Sequence, residues 1–81
     1  MTRWEYATLG WAGTHGPQGW NTSVRWSGPD GTRDEENSDE VERLNEAGKN
    51  GWDVVGITTS EGSNTAVSWF RNKYLLKRIA D

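Results

Sequence analysis

Hydrophobic and polar positions alternate twice within the first 26 residues. In TRWEYATLGW, residues 2–11, Trp4, Tyr6 and Thr8 fall on one side of an extended chain. Glu5, Ala7, Leu9 and Trp11 fall on the other. The pattern predicts a strand beginning near Arg3. WNTSVRW, residues 20–26, alternates more cleanly, with Trp20, Thr22, Val24 and Trp26 against Asn21, Ser23 and Arg25. It predicts a half-buried strand that ends at SGPDG, residues 27–31, where proline sets φ for a turn and Asp-Gly completes it. Between the two lies GWAGTHGPQGW, with Gly10, Gly13, Gly16 and Gly19 at every third position. Residues 10–19 read as a Gly-rich hairpin loop whose glycines permit positive φ. The flanking strands then form an antiparallel hairpin.

The period changes after residue 36. Val41, Leu44, Ala47 and Gly48 make one narrow apolar stripe, and Arg43, Glu46 and Lys49 point away from it, which predicts a helix over 37–50. Asn37 or Ser38 is its expected N-cap, with Glu40 placed for a capping box on Asn37. Gly51 suits the left-handed position after the last turn. Gly48, inside the last turns, suggests close packing of helix on sheet, because propensity alone disfavours it. WDVVGITT, residues 52–59, reads as a strand and SEGSN, residues 60–64, as a turn. TAVSWFRNKYLLKRI, residues 65–79, reads as a long last strand with a bulge or bend at Asn72. The expected fold is a single α+β domain. It has a four-stranded antiparallel sheet with one helix on one face, in the order β-β-α-β-β.

Composition adds where the core comes from. Only twelve of the 81 residues are Leu, Ile, Val or Phe, but six are Trp and two are Tyr. A buried aromatic hides roughly 150–250 Å², so a few replace many aliphatics. Without cysteine there is no disulfide or thiolate metal site to staple so small a domain. The net charge is −3, and six acids with no base lie in DEENSDEVE, residues 34–42. That run is expected at a helix N-terminus, where acids complement the dipole. Overall acidity argues against binding a nucleic acid duplex, which needs a basic footprint. No apolar stretch reaches membrane-spanning length, and no export signal opens the chain, so a cytoplasmic protein with no membrane contact is expected.

The search for catalytic chemistry ends without a constellation. His15 is the only histidine, and Ser23, Ser27 and Asp30 come with no nucleophile elbow. DEENSDE lacks the spacing of a calcium loop, and the glycine triplets lack the Lys-Ser/Thr of a phosphate loop. The expectation is a non-enzymatic protein with no cofactor and no metal. Trp4 and Trp52 are expected in the core. Trp11, Trp20, Trp26 and Trp69 are too many for one covered face and one short helix. They suggest a binding surface with Arg25, Arg71 and Lys73. On one reading a Trp-bearing sheet face holds a second copy in a homo-oligomer, or a protein partner, which the acidic flank would prefer basic. On the alternative, the rings and the basic residues of the last strand stack a small, nucleotide-like molecule.

RWEY at the start, LNEAGKNGWDVV in the middle and YLLKR at the end resemble a bacterial and phage family, domain of unknown function 4177. Its pattern falls here on Trp4, Glu5 and Tyr6, on Leu44, Asn45, Gly48, Gly51, Trp52, Asp53, Val54 and Val55, and on Lys77 and Arg78. Asp53 stands where the family usually has Glu. The likeness covers about half the chain and leaves out residues 10–36 and 60–72. It implies a fold and assigns no reaction.

Overall fold

Two Gly-Pro-X-Gly tetrapeptides, GPQG at 16–19 and GPDG at 28–31, organise the first half of the molecule. The computed structural model describes residues 2–37 and 39–80. In it, β1 (Trp4–Gly16), β2 (Gly19–Gly28) and β3 (Gly31–Glu36) follow one another, then α1 (Glu40–Lys49), β4 (Asp53–Ser63) and β5 (Ser68–Ile79). Each tetrapeptide is a tight hairpin, with Gly16 paired to Gly19 and Gly28 paired to Gly31. Gly19 and Gly31 have φ of 99° and 115°, a region that L side chains avoid and that reverses the chain here.

The sheet is therefore five-stranded, antiparallel throughout, in the order β3-β2-β1-β5-β4. This corrects the expected four-stranded sheet and its β-β-α-β-β order. The additional strand is β3, GTRDEE, and all of it is exposed. With no apolar position it shows no period; its backbone ladder to β2 and the cross-strand pair Arg25–Asp34 hold it instead. The acidic run is thus divided. Asp34, Glu35 and Glu36 belong to β3, while Asp39, Glu40 and Glu42 stand at the start of α1.

The expected loop over 10–19 is also corrected. β1 runs through Gly16 and β2 begins at Gly19, so only Pro17 and Gln18 lie outside the ladder. Gly13 is buried in mid-strand because the Trp11 ring lies over it; a methyl group there would meet Trp11 Cη2 at 2.6 Å. β4 likewise extends to Ser63, through most of the turn expected at 60–64. The register is irregular between Val54 and Gly56 of β4, not at Asn72 of β5.

α1 begins later than the expected residue 37. Its N-cap is Asp39, whose Oδ1 accepts from the Val41 and Glu42 amides at 2.9 and 3.4 Å. Asn37 has a left-handed φ of 57° and donates its amide to Thr22 O at 2.8 Å. Ser38 lies outside the described residues. The helix closes with Gly51 N–H on Gly48 O and Trp52 N–H on Ala47 O, with Gly51 at φ 87°.

α1 packs on one face of the sheet. Ala7, Leu9, Val24, Ala47, Trp52 and Leu76 are buried together, with Trp11, Trp26, Leu44 and Tyr74 against them. Trp52 is in the core as expected. Trp4 is not: it lies on the opposite, open face, 44% exposed. Gly48 differs as well, since it is exposed and a methyl group there would meet nothing within 4 Å. Gly48→Ala is expected to stabilise the domain by about 0.5–1 kcal/mol, through helix propensity alone. Thermal denaturation followed by circular dichroism checks this; a fall in midpoint would restore a packing role for the glycine.

Candidate functional site

Strand alternation decides which side chains share a face. Cross-strand partners in an antiparallel sheet point to the same side. Starting from the buried Leu9, the helix-side face takes Trp11, Trp20, Trp26, Phe70, Asn72 and Tyr74. The open face takes Arg25, Trp69, Arg71 and Lys73, with Trp4, Tyr6, Leu75, Lys77 and Ile79 at its other end. The seven candidate residues do not form one surface. Trp11, Trp20 and Trp26 lie on one face; Arg25, Trp69, Arg71 and Lys73 lie on the other.

Several of the seven already have partners. Trp26 meets Trp52 edge-on, with centroids 5.3 Å apart, and its Nε1–H donates to Asp30 at 3.2 Å. That bond holds the Asp30 carboxyl below its usual range. Arg25 donates from Nε and Nη2 to Asp34 at 2.7 and 3.1 Å, which holds the Asp34 carboxyl low as well. The Trp69 ring covers its cross-strand partner Gly62, where a methyl group would meet Cζ2 at 2.3 Å. On the open face Lys77 Nζ stands 4.2 Å from the Trp4 ring centroid.

α1 has ten residues, about 15 Å of helix at 1.5 Å per residue. The molecule is 53 Å long. The helix therefore covers only part of its face, and two recesses flank it. The first, about 290 Å³, lies between α1 and the β2–β3 side, over Leu9, Val24, Trp26 and Trp52. Its charges are matched: Arg43 reaches Glu35 at 3.3 Å and Glu46 at 2.9 Å. Arg78 bonds Glu5 and Asn50 O while its guanidinium stacks 4.3 Å from the Trp52 ring.

The second recess, about 600 Å³, is an open groove beyond the N-terminus of α1. Its floor carries Trp11, Trp20 and Phe70, and its other lining residues are Glu40, Thr59, Ser60, Glu61 and Asn72. Trp20 and Phe70 are 5.6 Å apart between centroids, and His15 joins the cluster 4.9 Å from Trp20. Glu40 is fixed from β5: Asn72 Nδ2 donates to it at 3.1 and 3.3 Å, and the Tyr74 hydroxyl also donates. Glu40 makes no capping box, because it directly follows the Asp39 N-cap instead of lying three residues beyond it. Among the described residues Glu61 has no hydrogen bond or ion pair, and no Lys or Arg lines the groove.

Phe70, Glu40, Glu61 and Asn72 were not among the candidates. Phe70 and Asn72 are visible as an alternating pair in WFRNKY once its register with Trp11 is known. Glu61 was hidden in a stretch that looks like a turn. The chain matches no protein-family model, no curated protein and no solved structure. Among the described residues no helix is long and apolar enough to cross a membrane, and no three His, Cys, Asp or Glu side chains gather as a metal-ligand group.

Proposed function

We propose that this chain is a non-enzymatic, self-associating binding module, and that a second copy docks along β4. The observation that carries this is the distribution of exposed apolar side chains. Of ten large hydrophobics exposed among the described residues, Val54, Val55 and Ile57 are on β4, and Trp4, Tyr6, Leu75 and Ile79 are on the adjoining ends of β1 and β5. Val54 and Ile57 face the helix side and Leu75 the open side, so apolar side chains flank the β4 edge on both faces, as at an interface.

The two sheet edges differ. β3 is six residues long and carries Arg33, Asp34, Glu35 and Glu36, the charged, short edge that resists pairing. β4 is eleven residues long and has no charge from Val54 to Ser60. Two copies related by a two-fold axis at Thr58 would set Ile57 opposite the partner's Thr59 and Gly56 opposite the partner's Ser60. No like charges meet in that register, and β-branched pairs favour it. The same proposal keeps the chain beside domain of unknown function 4177. The shared LNEAGKNGWDVV then serves the α1–β4 junction, through half-buried Leu44, the left-handed Gly51 and buried Trp52.

A nucleotide-like ligand has less support, because it asks for rings and cations on one surface. Of the tryptophans, Trp4 and Trp69 share the open face with Arg71 and Lys73, but Lys77 stands over the Trp4 ring and the Trp69 ring covers Gly62.

Sedimentation equilibrium tests the self-association. The expected result is a dimer that Thr58→Lys converts to a monomer with an unchanged circular dichroism spectrum. A wild-type monomer at every concentration would remove the proposal.

A further inference from the structure

The two recesses beside α1 differ in charge balance, and the difference identifies a ligand class. In the β2–β3 recess Arg33, Arg43 and Arg78 stand among Asp30, Glu35 and Glu46, and the charges neutralise one another. The groove beyond the helix N-terminus has two carboxylates and no cation. Glu40 receives only neutral donors, the Asn72 amide and the Tyr74 hydroxyl. Glu61 is unpaired among the described residues and stands on β4 directly across from Phe70.

The floor between these carboxylates is aromatic. Trp20 is 56% and Phe70 36% exposed, and the two rings lie 38° from parallel. Their faces carry the negative side of the ring quadrupole, which attracts a cation resting on them. Glu40 is partly matched by the α1 dipole, so the aromatic faces and the Glu61 carboxylate are what select a cation here.

We propose that this groove binds a guanidinium group, the side-chain head of an arginine presented by a partner polypeptide. The shape favours guanidinium over a compact ammonium. Trp20 and Phe70 form a platform and not an enclosing cage, and a planar cation stacks flat on a platform. Its N–H fork then reaches a carboxylate at the rim, for which Glu61 is placed and available. The Thr59 hydroxyl beside it is an acceptor for a remaining N–H group. A neutral sugar fits less well, since the Asn72 amide is already committed to Glu40. The groove takes Thr59 and Glu61 from β4, the strand that self-association uses through its backbone edge, so the titration is run on the wild type and on Thr58→Lys alike.

The test is a titration of the full chain, followed by the indole N–H resonances in two-dimensional NMR and by tryptophan fluorescence. The probes are a blocked tetrapeptide with one arginine, the same peptide with lysine, and glucose. The expected result is saturable binding of the arginine peptide, with Trp20 as the most shifted indole. The lysine peptide is expected to bind more weakly, and glucose not at all. Glu61→Gln is expected to weaken binding about threefold to tenfold, and Trp20→Ala by a similar factor, with folding unchanged because both side chains are exposed. Added salt is expected to weaken the wild type more than Glu61→Gln. Absence of saturation, equal affinity for the Glu61→Gln protein, or preference for lysine or glucose would overturn the assignment.

Discussion

Replacing Trp52 with alanine is expected to remove about 3–5 kcal/mol of stability, the range for deleting a large aromatic from a core. Trp52 is 6% exposed and touches three parts of the fold. It follows the helix stop at Gly51, meets Trp26 of β2 edge-on, and supports the guanidinium of Arg78 from β5. Without the ring, Arg78 keeps its bonds to Glu5 and Asn50 O but loses its stacking surface. A chain of this size has a total stability of about 4–12 kcal/mol at 0.05–0.15 kcal/mol per residue, so the loss is a large share of it. Urea denaturation read by far-ultraviolet circular dichroism measures it. Trp20→Ala is the contrast. Its ring is 56% exposed and its aromatic partners among the described residues are His15 and Phe70, so a cost under about 1 kcal/mol is expected. Equal losses at the two positions would contradict this division between core and surface.

That division marks how far the sequence alone could be taken. The alternation in residues 2–11 and 20–26 divided the side chains between two faces as found, but it did not say which face of β1 the helix covers, and Trp4 falls on the open one. Gly51 and Trp52 were legible, since a left-handed stop and the buried ring after it are local requirements. β3 was not legible. Its pairing is made by backbone groups and by charged side chains, and neither leaves an apolar period. Gly13 misled in the opposite direction, because glycine in isolation signals a loop. Its role depends on the Trp11 ring two residues earlier. The repeated Gly-Pro-X-Gly was the available signal. Two such turns twelve residues apart mark the length of β2 and require a strand after the second.

The groove was half legible. Trp11 and Trp20 were recognised as rings in need of a partner. Their neighbours Phe70, Asn72 and Glu61 come from the other end of the chain, and the β1–β5 and β4–β5 registers bring them there. The basic candidates Arg71 and Lys73 alternate with Phe70 and Asn72 and so fall on the opposite face. No composition argument separates neighbours in this way; only the register does. The size of the groove has a simple cause. Ten residues of helix cannot span strands of twelve and thirteen.

Gly13→Ala and Gly62→Ala are expected to destabilise the domain by about 1–3 kcal/mol each, the cost of forcing a methyl group into an occupied site. At Gly13 the new methyl would stand 2.6 Å from Trp11 Cη2 and 2.9 Å from Cζ2. At Gly62 it would stand 2.3 Å from Trp69 Cζ2 and 2.6 Å from Cε2. Each ring must swing off the strand to make room. Trp11 packs against the core, so its displacement also uncovers apolar surface. Gly10→Ala is the control. It lies in the same strand, where a methyl group would meet only Arg25 O, at 4.0 Å. Gly10 pays the entropic cost of glycine in a strand with no ring above it, so alanine there is expected to gain about 0.5–1 kcal/mol. Glycine and tryptophan then act as a pair in this sheet: the missing side chain is the seat of the ring. Tryptophan emission discriminates the outcomes, because a displaced Trp11 or Trp69 enters water and its emission shifts to the red. Stability gains at all three glycines, with no spectral shift, would show that the rings do not occupy those seats.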